Sequence, residues 1–392
     1  MYRVALIASH VIQYQAPFFR LLAAEKDLDL EVIFCSTDGA KIYRDPEMQT
    51  TFRWDLDLLD GYRHRFLRNL GFGDGYARLI NPGILPTLLR RRYDAAIFFL
   101  GWGTITSLLG IAACRMRGTP IFLYGDSSFP PPETGLMSRM RARMLRTIFR
   151  WTDRFLISGV LNADYYRHYG ADARRFHTVP WAIDNARFEG GSRFAPGERE
   201  AMRARFDIGD DDMAIVFSGK FLPRKDPMTL LRAIDSMQQR HRTAVIFLGN
   251  GELRGEMESF AKERNLRVHF AGFVNQTDLP KHYAMSDVFV LPSLDDPRAT
   301  VVNEAMASGL PVIITDRCGP AGDIVQHGEN GFVIKPRDVR ALAEHLDALA
   351  ADPELRTRMA QRSREIISIW DYAAGVRGVM NALTTNAISI AK

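Results

Sequence analysis

No stretch of about 20 uncharged apolar residues occurs in this 392-residue chain, so a membrane-spanning helix is not expected. The amino terminus, Met1-Tyr-Arg-Val-Ala-Leu-Ile-Ala8, runs straight into a strand pattern without the layout of a signal peptide, and the expected address is cytoplasmic. Cysteine is scarce. Cys35, Cys114 and Cys318 are odd in number, far apart and outside any Cys-x-x-Cys arrangement, which excludes a disulfide framework and predicts reduced, structural thiols. Excess charge is small as well, with 51 Lys and Arg against 46 Asp and Glu, a formal net charge of +5. No basic cluster interleaved with aromatic platforms is present, so nucleic acid is not an expected partner.

What is present is enough apolar residue, 46% of the chain, for two globular cores of ordinary size. Short apolar runs alternate with helical patterns from end to end. In the first half they are Val4-Ala8, Leu30-Cys35, Ala95-Leu100, Pro120-Leu123, Arg154-Ser158 and Thr178-Val179. In the second they are Ala214-Ser218, Ala244-Leu248, Val268-Ala271, Val288-Leu291, Val312-Thr315 and Gly331-Ile334. Strand, helix, strand at this spacing predicts an α/β fold of two Rossmann-like parallel-sheet domains, with a ligand crevice beyond the carboxyl ends of the strands where the domains face across a cleft. The expected domains are residues 1–190 and 205–370, with 371–392 a carboxyl-terminal helix that returns to the first. The boundary is expected between Asp184 and Asp212, where Gly190-Gly-Ser-Arg-Phe-Ala-Pro-Gly197 is rich in turn residues.

Two stretches of the second half carry chemistry. In Ser218-Gly-Lys-Phe-Leu-Pro-Arg-Lys225, Gly219 ends a strand and allows close approach of a ligand, while Lys220 and Lys225 can direct ammonium groups at phosphate; two solvated surface lysines are the alternative. In Asp296-Pro-Arg-Ala-Thr-Val-Val-Asn-Glu304, a helix is expected to begin near Pro297 to Thr300 and to stop at Gly309, its first amides open to an anion. Were the helix continuous from Asp296, eight residues would turn the two carboxylates by roughly 80° and let one ligand meet both. Asp296 before Pro297 also suits a plain helix N-cap, and Glu304 an exposed helix face. Asp210-Asp-Asp212 has the look of a metal-binding triplet, but its place just before a strand reads as a linker turn.

With Val179-Pro-Trp-Ala-Ile-Asp184 and Phe188, Gly249-Asn-Gly-Glu252 and Asn330-Gly-Phe332 in order around them, these motifs resemble the donor domain of the family-4 retaining glycosyltransferases, from about Ala214 to Trp370. The resemblance implies the GT-B fold and transfer of a sugar from a nucleoside-diphosphate sugar, with retention and without a metal or cofactor, to a polysaccharide, lipid-linked or other glycan acceptor. It implies that Lys220 and Lys225 hold the diphosphate, that Glu304 binds the ribose hydroxyls, and that backbone near Phe273 and Val274 cradles the base. Lys225, Asp296 and Asp126 are the catalytic expectations; Gly219, Arg298, Thr300 and Val301 complete the donor side. Asp296 stands where the family carries Glu, and Pro297-Arg-Ala299 where it carries a run ending in glycine. The amino-terminal loop resembles a subset of the family reading Gln-Tyr-Gln-Ala-Pro, which makes Gln13, Tyr14 and Gln15 acceptor-side candidates. Asp126, in Tyr124-Gly-Asp-Ser-Ser128, stands near the transferred sugar or serves as a turn residue. A nucleotide-sugar epimerase or hydrolase on the same fold, or a non-catalytic nucleotide-sugar-binding protein, is the alternative.

Between Met137 and Arg154 lie six arginines and one acid, with Arg139, Arg143, Arg146 and Arg150 at helical spacing. Met140, Met144, Leu145, Ile148 and Trp151 fall largely elsewhere on the wheel. This pattern is that of a basic amphipathic helix lying on the anionic inner face of a membrane, or of a core helix with a solvated charged face.

Overall fold

A computed structural model describes residues 1–72, 78–131 and 133–385. In chain order its strands are β1 (Tyr2–Ala8), β2 (Leu28–Phe34), β3 (Tyr43–Asp45), β4 (Thr50–Phe52), β5 (His64–Phe66), β6 (Ala95–Phe98), β7 (Ile121–Tyr124), β8 (Arg154–Ile157), β9 (Phe176–Thr178), β10 (Met213–Ser218), β11 (Thr243–Leu248), β12 (Val268–Gly272), β13 (Val288–Leu291), β14 (Val312–Thr315) and β15 (Gly331–Ile334). Each of the twelve apolar runs of the sequence overlaps a strand. The short strands β3, β4 and β5 have no such run and were not foreseen.

The chain divides into two compact units, the first made of residues 1–41, 57–181 and 372–392, the second of 42–56 and 182–371. The junction falls between Trp181 and Ala182, ahead of the turn-rich stretch, and residues 42–56 cluster with the second unit although 1–190 was the expected first domain.

In the first unit the sheet order is β5-β2-β1-β6-β7-β8-β9. Every pairing in it is parallel. Helices cover both faces of such a sheet, so its strands are apolar throughout rather than alternating: Val4, Ala5, Leu6 and Ile7 are all fully buried. The helix Tyr372–Thr384 packs on this unit, where Gly375 lies against the Phe18 ring and Gly378 against the Thr178 carbonyl. Its Tyr372 hydroxyl donates 2.7 Å to the Tyr14 carbonyl.

The second unit has the order β12-β11-β10-β13-β14-β15, again all parallel. The order reverses between β10 and β13, as it does between β1 and β6 in the first unit. At such a switch point the connections leave in opposite directions, and the gap between them lies at the carboxyl ends of the strands. The residues after Ser218 and after Leu291 therefore share one crevice.

The three cysteines are free and buried, and burial pushes each thiol up to about 12, leaving inert, apolar core residues. Among the described residues no helix is long and apolar enough to cross a membrane.

The arginine-rich helix, Leu136–Trp151, divides its apolar residues in a way the helical wheel alone did not separate. Ala142, Leu145, Ile148 and Phe149 enter the core, whereas Met137 is 77% exposed, Met140 58%, Met144 39% and Trp151 42%. Arg139, Arg143, Arg146 and Arg150 are exposed beside them. It is both a core helix and a surface on which apolar and basic side chains mix.

Candidate functional site

Beyond β10, the chain turns at Gly219 and runs through Lys220 to a short helical turn, Pro223–Lys225. This turn is braced from the next strand. Gly219 N–H donates 2.9 Å to the Leu248 carbonyl and Phe221 N–H 3.0 Å to the Asn250 carbonyl. The approach is so close that a side chain at Gly249 would collide with the Gly219 carbonyl, which explains the glycine of the Gly249-Asn-Gly-Glu252 turn.

Beyond β13, Leu294 N–H donates 2.8 Å to the Arg224 carbonyl, tying the two loops together. Lys225 and Asp296 meet there as an ion pair, the lysine side chain 13% exposed and the aspartate 9%. Lys225 is thus not the solvated surface lysine of the plain alternative. Asp296 is also held by its backbone: its N–H donates 3.0 Å to the Arg317 carbonyl, and its own carbonyl accepts from Gly319 N–H at 2.9 Å. The loop Arg317–Gly319 had no signal in the sequence, because its contribution is backbone hydrogen bonding.

The helix spans Thr300–Ala307, followed by Gly309 at φ 79°. Its start at Thr300 falls within the expected range of Pro297 to Thr300; Asp296 lies outside the helix, so the helical phase between the two acids does not apply. Nor is Asp296 the N-cap. That position belongs to Ala299, and the Asp296 Oδ1 accepts from the Ala299 N–H at 3.1 Å across a turn. Ala299 takes φ 41°, ψ 45°, a left-handed conformation that glycine adopts freely and alanine only under constraint. Among the described residues no side chain caps the helix, whose first-turn amides are those that any α-helix leaves without intrahelical partners. Thr300 and Val301, half-buried, form its first turn, with Arg298 half-buried just before it.

Glu304 is not on an exposed face. It is 4% exposed, and the Tyr283 hydroxyl donates 2.8 Å to its Oε2. Burial raises its carboxyl to about 7, against the lowering effects of the Tyr283 hydrogen bond and the Arg187 charge. Tyr283 and Arg187 are missed by sequence reasoning; a tyrosine 21 residues before its partner follows no spacing rule. Lys220 pairs with Asp45 at 2.8 Å and with Glu47 at 2.7 Å, both outside any motif. Phe273 and Val274 follow β12, half-buried. Asn330, by contrast, is fully buried and serves the fold, its amide donating 3.0 Å to the Ile324 carbonyl.

Asp212 accepts from Gly209 N–H at 2.8 Å and pairs with Arg267 at 2.8 Å, as a turn residue does. No group of three or more His, Cys, Asp or Glu that could hold a metal ion occurs among the described residues.

The first-unit candidates follow β1 and β7, of which β1 flanks the switch point. Gln13 and Tyr14 are half-buried in the loop after β1, and Gln15 is buried at the start of the helix Ala16–Ala24, its Oε1 without a hydrogen-bond partner among the described residues. Asp126 is half-buried just past β7, with its carbonyl accepting from the Ser128 hydroxyl at 3.2 Å.

Comparison with known proteins points the same way as this geometry. Residues 198–366 match the sequence profile of the family Glycosyl transferases group 1. Over 167 residues, 42% of the chain, the sequence is 33% identical to the lipopolysaccharide core biosynthesis glycosyltransferase LpsE of Rhizobium meliloti, covering 47% of that protein. Over 209 residues, 50% of the chain, it is 30% identical to the GDP-mannose-dependent alpha-(1-6)-phosphatidylinositol monomannoside mannosyltransferase of Mycobacterium tuberculosis, covering 53% of it. The chain thus spans about half the length of the curated relatives it matches. Anabaena HepE, solved in complex with UDP and glucose, superposes with a TM-score of 0.76 over 98% of this chain and 100% of its own, at 17% identity. A likeness at that identity is one of fold, and the fold is GT-B, two Rossmann-like parallel-sheet domains.

Glu304 gives a pH signature that does not depend on any activity. Its folded-state value, about 7, lies above the ordinary 4.5, so the folded protein binds this proton more tightly than the unfolded chain. The buried charge costs stability in full above pH 7, and the cost is relieved as pH falls toward 4.5. Relative to Glu304→Gln, the parent protein should gain on the order of 2–3 kcal/mol between pH 8 and pH 5 in denaturant titrations. Parallel pH profiles for the two proteins would show that the carboxyl is not perturbed.

Proposed function

We propose that the protein is a glycosyltransferase that moves a sugar, with retention and without a metal or cofactor, from a nucleoside-diphosphate sugar to a polysaccharide, lipid-linked or other glycan acceptor. One observation carries the reading: Lys220 and the Lys225–Asp296 pair lie in the loops beyond the carboxyl ends of β10 and β13, with buried Glu304 on the helix that follows the second loop, where an open parallel sheet binds its ligand. The match of residues 198–366 to the group 1 glycosyltransferase profile supports it, as do the names of the relatives.

In this reading the bond between the anomeric carbon and the diphosphate oxygen breaks, and its electron pair leaves on the diphosphate. A new bond forms to an acceptor hydroxyl oxygen, which releases its proton. Lys220, Lys225 and the first-turn amides of Thr300–Ala307 stabilise the charge that grows on the leaving group. Arg298 adds to them at the approach to the helix. Asp296 orients the Lys225 ammonium and accepts from the Ala299 amide, which keeps the loop in the left-handed turn although glycine is missing. Gly219 lets the diphosphate approach the backbone, the backbone near Phe273 and Val274 cradles the base, and Glu304 accepts the ribose hydroxyls once ionised, with Tyr283 fixing its direction. Gln13, Tyr14, Gln15 and Asp126 serve the acceptor and the transferred sugar.

Release of nucleoside diphosphate from a panel of nucleotide sugars, with and without glycan acceptors, tests the assignment. Lys225→Ala should lower turnover by about 10²–10³ while the fold persists. Asp296→Asn keeps the acceptor for the Ala299 amide but loses the charge on Lys225, and should be folded and inactive. Transfer by either variant at the parental rate would remove that residue from the mechanism.

We further place the enzyme in the cytoplasm, on the inner face of a membrane, through Leu136–Trp151. The mixture of exposed Met137, Met140, Met144 and Trp151 with four arginines supports this, since apolar insertion and attraction to anionic lipid then act on one surface. Changing Arg139, Arg143, Arg146 and Arg150 together to Gln should release the protein from anionic vesicles in co-sedimentation, at about 1 kcal/mol per residue. A parent protein that ignores such vesicles at low salt would retire the placement.

A further inference from the structure

The segment Ile42–Leu56 belongs to the second unit, while Lys41 before it and Asp57 after it belong to the first. It forms the antiparallel pair of β3 and β4, with Tyr43 opposite Phe52 and Asp45 opposite Thr50. Two strands of three residues are too short to be stable alone, so what the hairpin touches must hold it.

Its contacts with the rest of the unit include ion pairs, ring contacts and hydrogen bonds. The carboxylates of Asp45 and Glu47 take Lys220 between them, and Glu47 also lies 3.4 Å from Arg224. The aromatic rings gather on Phe273: Phe52 stacks on it with centroids 4.2 Å apart and planes 23° apart, and Trp54 meets Phe52 at 4.9 Å. Asn275 Nδ2 donates 2.7 Å to the Arg53 carbonyl, and Thr277 N–H 3.0 Å to Asp55 Oδ2. Two negative charges on the lysine assigned to the diphosphate, and a flat ring on the residue assigned to the base, repeat the chemistry of a nucleoside diphosphate.

We propose that the hairpin Ile42–Leu56 is a built-in competitor for the donor site, which a nucleoside diphosphate enters by displacing Asp45 and Glu47 from Lys220 and Phe52 from Phe273. The inference rests on the reading of Lys220 and Phe273 as donor-site residues. One ammonium cannot satisfy two carboxylates and a diphosphate at once, and a stack at 4.2 Å leaves no space for a base between its rings. The affinity observed for a nucleotide is then its intrinsic affinity reduced by the fraction of molecules with the hairpin open. The hairpin keeps the cations and aromatic face of the site covered until the donor arrives.

Asp45 also shapes the turn, its Oδ1 accepting from the amides of Glu47 and Met48 at 2.9 Å. Asparagine preserves that acceptor, so Asp45→Asn with Glu47→Gln removes the competing charge and leaves the hairpin turn intact. The test titrates the parent and this double variant with UDP and with GDP by calorimetry, and follows amide hydrogen exchange over residues 43–52. The variant should bind a diphosphate about tenfold more tightly, and exchange over 43–52 in the parent should rise on saturation. Binding to the variant alone also supports the proposal, since the closed hairpin then excludes the nucleotide outright. Binding to both with no gain in the variant, or with exchange unchanged or slowed in the parent, overturns the competition and leaves the donor site standing. Failure of both nucleotides to bind either protein overturns the donor site and the competition with it.

Discussion

Lys225 and Asp296 form a mostly buried ion pair, and the geometry of the whole site passes through it. A charge withdrawn from water is tolerable only with a partner and further hydrogen bonds around it. Asp296 has both: one carboxylate oxygen pairs with Lys225, the other accepts the Ala299 amide, and its backbone is pinned on both sides to Arg317 and Gly319. Three separate loops, from β10, β13 and β14, thereby become one rigid support at the carboxyl ends of the strands. The left-handed Ala299 is a consequence, since the chain must turn sharply between the pair and the first turn of the helix.

The same support explains how Glu304 can be buried. It sits on the helix that the Asp296 turn launches, with the Tyr283 hydroxyl as its hydrogen-bond donor. With Tyr283 the hydrogen-bond donor to one oxygen, the Glu304 carboxyl keeps further acceptor capacity. Lys220, in contrast, is saturated by Asp45 and Glu47, so the two lysines of one motif have different partners and different freedom.

Much of this was legible in the sequence, for physical reasons. Strands buried on both faces read as uninterrupted apolar runs, and all twelve were visible; the resemblance carried by Gly219, Lys220, Lys225 and Glu304 rests on loops whose spacing is short and local. What was not legible depended on contacts distant in sequence. Tyr283 reaches Glu304 through the fold, Arg317 and Gly319 act through backbone alone, and β3 and β4 are polar three-residue strands with no periodicity to detect. Helical phase was uninformative in two places. It relates Asp296 to Glu304 only along a continuous helix, whereas the helix begins at Thr300 as expected, and it could not tell which apolar residues of Leu136–Trp151 enter the core, because Met144 and Leu145 are both apolar and only packing separates them.

The loops beyond β10 and β13 are proposed to hold a nucleoside diphosphate. A crystal structure of the protein with UDP or GDP bound addresses this most directly. Diphosphate oxygens are expected within hydrogen-bonding distance of the Lys220 and Lys225 ammonium groups, and ribose hydroxyls on the Glu304 carboxylate. A nucleotide bound elsewhere, with Lys225 still closed on Asp296 and Glu304 touched only by Tyr283, would contradict it.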